Sequence, residues 1–434
     1  MCTKIINNVV LSKQEFKDFY LKNNYNENMF KSDGSLDLNY NSNKNTGLIA
    51  QIFEEHWDNL SPKMKESIIK IKPNALKEIK KIIDCHNKDL GCNVYQCPEC
   101  GDICFIGNTC KSRFCSSCGY KYKLERVDNI LNTAYNCKHR QIVFTCAKEL
   151  WPYFFVDFVN LINIYFKVVN KTIYSILNES FKFKNGKLKK YTSKNKYTPG
   201  FFAFLHTFGR SLQWHPHIHV LIAEIKLSKD KCHKWEYFDF NALSKRFMKI
   251  LLDLMDEYLN DKSFKVLKNK LYKKYKNGFY VYAEKKNFKK IKDGVEYVTR
   301  YCGRVAISEN RIINYDGNNV TYCYNSHVDN SYHEVTVTAT QFITILLMHL
   351  LPANFKIIRY YGFYRKKHHL HDKMVMLISN EYRKISKQVL KYKLSILKSF
   401  NRDPFDCPKC GNTMFKICYI DGGWFYVWFW FFPY

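Results

Sequence analysis

Two Cys-x-x-Cys pairs, Cys97-Pro98-Glu99-Cys100 and Cys115-Ser116-Ser117-Cys118, constrain this 434-residue chain more than any other feature. Fourteen residues separate the pairs, a spacing close to that which lets four thiolates close a tetrahedron around Zn²⁺. Four cysteines leave no open coordination position, so a structural zinc is expected on Cys97, Cys100, Cys115 and Cys118. Gly101 and Gly119 follow the pairs, where a residue free to take positive φ helps the backbone turn about the metal. Cys85, His86, Cys92, Cys104 and Cys110 lie close by and leave two readings open, a second partial site or ordinary buried thiols. A third pair, Cys407-Pro408-Lys409-Cys410 with Cys418 behind it, has no evident fourth ligand and reads as a truncated ribbon.

Redox setting decides how the 17 cysteines are read. The amino terminus shows no apolar run ahead of a small-residue cleavage site, so a reducing cytoplasm is expected and clustered cysteines are metal ligands before they are disulfides. The 69 Lys and Arg against 39 Asp and Glu leave a net charge of +30, which calls for a polyanionic partner. Nucleic acid is the first candidate. An anionic membrane is the weaker one, because no stretch reaches the roughly 20 apolar residues of a spanning helix, the tail Trp424–Tyr434 coming nearest.

Length favours two or three domains. Residues 1–46, rich in Asn, Lys and Ser, show no sustained period and suggest a weakly ordered leader. Residues 47–134 read as a helical and zinc-binding domain, with two helices over 47–83, Ser61 as N-cap and Pro62 as first helical residue, and an exit helix over Lys121–Ala134. Residues 135–400 form the main domain. Gln141–Cys146, Gly200–His206 and His217–Ala223 are strand-like there, and Phe154–Leu177 and Phe247–Leu259 helix-like, which makes the fold class α+β. Residues 401–434 hold the third cysteine pair and the aromatic tail. Two lysine-rich stretches, Phe181–Lys196 and Asp261–Lys292, interrupt the main domain, the second with 12 Lys against two acids.

In Trp214-His215-Pro216-His217-Ile218-His219, residues two apart on a strand share a face, so His217 and His219 can grip one ion. Such a pair alone fits structural histidines equally well. In Glu296-Tyr297-Val298-Thr299-Arg300-Tyr301-Cys302-Gly303-Arg304 the tyrosines stand four apart, on one face if helical, although 32 tyrosines in the chain make such pairs expected by chance.

Taken together these segments resemble the two-tyrosine HUH transposases of rolling-circle insertion sequences, in which a zinc-binding domain precedes the nuclease. The resemblance runs from about Leu48 to Cys418. Besides the cysteine pairs, the histidines and the tyrosines it includes His139–Thr145, His206-Thr207-Phe208-Gly209-Arg210, His349-Leu350-Leu351-Pro352 and Arg359-Tyr360-Tyr361-Gly362. It implies a ferredoxin-like α+β core with the histidines on a central strand and the tyrosines on a facing helix. It further implies a third metal ligand from elsewhere in the core, for which His206 is chosen over His215. Mg²⁺ or Mn²⁺ would polarise the scissile phosphate, Tyr297 and Tyr301 would attack phosphorus, and Arg300 and Arg304 are candidate phosphate clamps. The expected partner is DNA, chiefly single-stranded element ends and target.

Two rival readings stand beside this one. A plasmid replication initiator or relaxase would use the same chemistry in another role, and a non-enzymatic zinc protein binding nucleic acid would hold His217, His219, Tyr297 and Tyr301 as core residues. The tail Trp424–Tyr434 has the look of a frame change or truncation, so a decayed copy is also among the expectations.

Overall fold

A computed structural model of the chain describes residues 8–11, 15, 47–135, 137–184, 187–194, 196–228, 231–235, 238–282, 306–326, 329–365, 406–421 and 424–428. They fall into two compact units, the first of residues 1–61, 75–122 and 389–434, the second of residues 62–74 and 123–388. Elements are numbered along the chain.

Three helices, α1 (Leu48–His56), α2 (Pro62–Ile71) and α3 (Ala75–Ile83), stand where two were expected. Pro62 opens α2 as the spacing predicts. The extra break follows from Pro73, which has no N–H to donate and disfavours helical backbone in the residue before it. In the first unit α1 buries Ile49, Ile52 and Phe53, and α3 buries Ala75, Ile79 and Ile82. Spacings of three and four give each helix a single apolar stripe.

The sheet of the first unit draws on both ends of the chain. Its order is β1 (Asn8–Leu11), β16 (Trp424–Trp428), β15 (Phe415–Asp421), β2 (Cys92–Gln96), β3 (Ile103–Gly107), every neighbouring pair antiparallel. The segment expected as a leader thus supplies a strand, and so does part of the aromatic tail, whose Trp, Phe, Tyr and Val are strong strand formers. Within α4 (Ser116–Leu131) the chain passes from the first unit to the second.

The second unit is α+β. Its main sheet runs β10 (Tyr280–Tyr282), β4 (His139–Thr145), β8 (Trp214–Ser228), β7 (Thr198–Phe208), β14 (Ile358–Gly362), all antiparallel, with β9 (Lys231–Lys234) hairpinned onto β8. The helix expected from Phe154 is two, α5 (Trp151–Val156) and α6 (Phe158–Asn178), broken at Asp157, whose backbone leaves the helical region. Helices α7 (Phe240–Leu259) and α8 (Lys262–Lys274) follow, each N-capped by an aspartate side chain, Asp239 and Asp261. The basic stretch after α6 folds into a two-stranded ribbon, β5 (Glu179–Lys184) and β6 (Lys187–Thr192), that pairs Lys182 with Lys189 and Lys184 with Lys187. A meander of β11 (Ile312–Tyr315), β12 (Asn319–Asn325) and β13 (Tyr332–Thr338) leads into α9 (Ala339–Met348), started by a Thr338–Gln341 capping box.

Alternation along β8 decides the two faces of this sheet. Phe144 of β4 lies opposite Ile218, meets Phe247 of α7 edge-to-face at 5.2 Å between ring centroids, and accepts the Tyr165 O–H of α6 on its carbonyl at 2.8 Å. The helices α6 and α7 therefore cover the Ile218 and Val220 face, and His217 and His219 point to the other. Among the described residues no helix is long and apolar enough to cross a membrane.

Two predictions follow from the packing of the second unit. Phe247→Ala, at a site with no exposed surface, is expected to cost about 3–5 kcal/mol in denaturant unfolding. Val156→Ala, 85% exposed, is expected to stay within about 0.5 kcal/mol. The second prediction concerns acid. Burial lowers His139 from 6.5 to about 4 and His349 likewise to about 4. Each is held as a neutral ring, His139 between the Cys137 carbonyl and the Tyr364 hydroxyl, His349 between Thr207 and the Leu212 carbonyl. In the unfolded chain both take up protons from about pH 6.5, so stability is whole above that pH and falls as pH drops through 4. The loss is on the order of 3 kcal/mol per histidine, and melting curves from pH 7 to 4 should show it shrinking in His349→Gln.

Candidate metal centres

The first centre is Cys85, Cys110, Cys115 and Cys118, whose sulfurs lie within 4.8 Å of one another. Helix α3 ends just before Cys85, Cys110 follows β3, and Cys115 and Cys118 stand at the start of α4. The Sγ atoms of Cys85 and Cys118 are 3.7 Å apart, those of Cys85 and Cys115 3.6 Å, and those of Cys110 and Cys118 3.6 Å. Four sulfurs bound to zinc at about 2.3 Å would stand about 3.8 Å apart, so the set fits that ion. Hydrogen bonding from Cys110, then from Cys115 and Cys118, pushes the Cys85 thiol far down, and the same neighbours hold Cys118 at about 7. Cys115 is pushed up, first by Cys110. Crowded thiols of this kind cannot all ionise unless a cation offsets their charge.

The structure divides the four thiols grouped from sequence, Cys97, Cys100, Cys115 and Cys118. Cys97 and Cys100 leave the end of β2 and meet Cys407 and Cys410 instead, again with all four sulfurs within 4.8 Å. Strand β2 continues into the first pair while α4 begins at the second, so each pair is held by a different element. Gly101 takes φ +68° as expected, but Gly119 is inside α4, and the matching turn is made by Gly411 at φ +77°. Cys85 and Cys110, left open from sequence, complete the first set.

On the face of the main sheet opposite α6 and α7, His206, His217 and His219 bring ring nitrogens within 4.8 Å of one another. Register explains the grouping, since His206 of β7 is the cross-strand partner of His217, and His219 follows two residues on. Ring centroids are 4.2 Å apart for His206 and His219, and 5.3 Å for His206 and His217. His206 is buried and the other two partly so. His217 Nδ1–H donates to the His215 carbonyl at 2.7 Å, which leaves its Nε2 lone pair for a ligand. His215 keeps its ring on Trp151, centroids 4.6 Å apart, outside the group of three.

Gln141, not singled out from sequence, sits in β4 with its side-chain amide 2.8 Å from His219 Nδ1. With the amide nitrogen toward the ring, Gln141 Oε1 is buried without a hydrogen bond. The opposite amide orientation lets that oxygen accept Nδ1–H and frees His219 Nε2 to bind metal, which is the tautomer a ligand needs. Among the described residues the ligand group holds three imidazoles, donors that suit a first-row transition ion better than Mg²⁺. Tyr297, Tyr301, Arg300 and Arg304 lie outside the described residues.

Comparison with known proteins finds two family models and two relatives along the chain. Residues 52–146 match the family model described as "Transposase zinc-binding domain", and residues 200–371 the one described as "Putative transposase". The chain is 26% identical over 364 residues to the transposase for insertion sequence element IS801 of Pseudomonas savastanoi pv. phaseolicola, covering 79% of this chain and 83% of that one. It is 24% identical over 296 residues to the protein described as "Putative transposase y4qJ" of Sinorhizobium fredii, covering 64% of this chain and 71% of that one. No solved structure matches. The chain is thus similar, in both parts and in their order, to transposases with an amino-terminal zinc-binding domain.

If Gln141 orients His219, Gln141→Leu should weaken Mn²⁺ binding roughly 10- to 100-fold in calorimetric titration while leaving the zinc content unchanged. Unaltered Mn²⁺ affinity would remove Gln141 from the site.

Proposed function

We propose that this chain, similar over most of its length to insertion-sequence transposases, is itself a transposase that nicks and rejoins single-stranded DNA through tyrosine links. The observation that carries the reading is the trio His206, His217 and His219, gathered from β7 and β8 on the face of the sheet opposite α6 and α7. A six-stranded antiparallel sheet with α6 and α7 on one face supports a ferredoxin-like HUH core within residues 135–400, and residues 47–134 take the zinc-binding part.

A divalent ion held by the three imidazoles would polarise the scissile phosphate and offset charge that develops on it. The rest of the chemistry falls to the chain. Tyr297 or Tyr301 attacks phosphorus through its phenolic oxygen, the P–O bond to the 3′ side breaks, and a proton passes to the leaving 3′-hydroxyl. The 5′-phosphotyrosine conserves the bond, so a later attack by a 3′-hydroxyl restores the phosphodiester and releases the tyrosine. Two tyrosines allow one link to the donor strand and one to the target. Arg300 and Arg304 are the proposed phosphate clamps. The net charge of +30 and the lysines of the β5–β6 ribbon supply sequence-independent contacts to the backbone, with binding that weakens steeply as salt rises.

The test is a covalent one. Incubated with Mn²⁺ and labelled single-stranded DNA from the sequences flanking its own coding region, the protein should form a denaturation-resistant, protease-sensitive adduct. That adduct should vanish in the Tyr297→Phe, Tyr301→Phe double variant. An undiminished adduct in the double variant would sink the tyrosine assignment, and none at all from metal-loaded protein would sink the nuclease.

A further inference from the structure

We propose that Cys97, Cys100, Cys407 and Cys410 form a second zinc centre, separate from that of Cys85, Cys110, Cys115 and Cys118, and that it fastens the carboxyl-terminal strands into the first unit. The two pairs come from positions 307 apart in the chain, yet they are built alike. Each is Cys-Pro-x-Cys-Gly: Cys97-Pro98-Glu99-Cys100-Gly101 and Cys407-Pro408-Lys409-Cys410-Gly411. In each, the glycine N–H donates to the first cysteine's carbonyl, at 3.0 Å in Gly101 and 2.9 Å in Gly411. In each, the first cysteine's N–H donates across the turn, Cys97 to the Asp102 carbonyl at 2.8 Å and Cys407 to that of Asn412 at 2.7 Å. Both glycines have positive φ and open space where a Cβ would lie, so backbone conformation and not crowding calls for glycine.

Twin loops of this kind present two sulfurs apiece to a common point. The Sγ atoms of Cys97 and Cys410 are 3.5 Å apart, and those of Cys100 and Cys407 3.6 Å. These lengths suit the edges of a zinc–sulfur tetrahedron, about 3.8 Å, and exceed by far the roughly 2.05 Å of a disulfide. The cluster has its own small core, in which Tyr95 and Met414 are buried with Cys97 and Cys407. It sits where the ladder between β2 and β15 begins, at the pairing of Gln96 with Phe415. The metal would therefore join the loops at the head of that ladder and set its register. Neither Cys407 nor Cys410 belongs to the segment that matches a zinc-binding domain. Each centre has two buried cysteines, Cys97 and Cys407 in the second and Cys115 and Cys118 in the first, but Cys410 is exposed where Cys85 and Cys110 are both half-buried, so the second centre should give up its ion first.

Metal analysis of the full chain tests this. With the imidazole site emptied by His217→Ala, His219→Ala, two zinc ions per chain are expected with the native cysteines and one in Cys407→Ser, Cys410→Ser. One zinc with the native cysteines, iron in place of zinc, or two zinc ions retained in the cysteine variant would overturn the proposal. Folding of the cysteine variant need not be assumed, because stepwise chelation of the protein with native cysteines and the imidazole site emptied, with mass-spectrometric thiol labelling, gives a second reading. Loss of the first equivalent should expose Cys97, Cys100, Cys407 and Cys410 to alkylation together and make strands β15 and β16 protease-sensitive, with Cys115 and Cys118 still protected. Release of Cys407 and Cys410 without Cys97 and Cys100, or alkylation of all eight at one step, would show that no separate centre exists.

Discussion

A period of two along β8 is the constraint on which the second unit depends. Ile218 and Val220 turn one way, into Phe144 and the helix layer, and His217 and His219 therefore turn the other. The burial of the apolar set is what fixes the polar one. A register slip of a single residue would drive both imidazoles into the core beside Phe247, where two buried rings without partners would each cost several kcal/mol. His206 is added by the same rule, since the register of β7 on β8 sets it opposite His217. Three ligand-grade side chains thus share one face without any loop to hold them, which favours a site of fixed geometry.

Much of this was legible in the sequence, and the parts that were not have physical reasons. Strands β4, β7 and β8 and helices α6 and α7 announce themselves by period and β-branched or aromatic content, although β7 and β8 run on at both ends, β4 and α7 start earlier, and α6 starts later, after the break at Asp157. The His-x-His spacing likewise gave the shared face. What spacing cannot give is a partner distant in sequence. Gln141 reaches His219 only because β4 pairs with β8, and nothing local to Gln141 marks it. The grouping of Cys97 and Cys100 with Cys115 and Cys118 rested on proximity along the chain, and proximity is a poor guide when one pair ends a strand and the other starts a helix. One sequence signal did point to the neighbours that the fold gives Cys97 and Cys100, namely the shared Cys-Pro-x-Cys-Gly pattern at 97–101 and 407–411, set against Cys115-Ser-Ser-Cys118, which lacks the proline.

The first unit shows why a small domain can draw on both ends of a long chain. Cys85 and Cys118 are 33 positions apart, and the contact of Cys100 with Cys407 spans 307. If the intervening chain were flexible, loop entropy would make the second contact costlier by only about 2 kcal/mol, because the cost grows with the logarithm of length. A folded intervening unit lowers even that. The five residue pairings between β15 and β2, the burial of Met414 and Cys407, and the sulfur cluster easily offset a term of this size. Equilibrium therefore tolerates the discontinuity, and the burden falls on kinetics, since β2 and β3 can pair locally while β15, β16 and β1 must wait for distant segments to meet. Until they do, β2 presents an unpaired edge with Cys97 and Cys100 at its end, and the local hairpin can close before the remaining three strands of the sheet are in place.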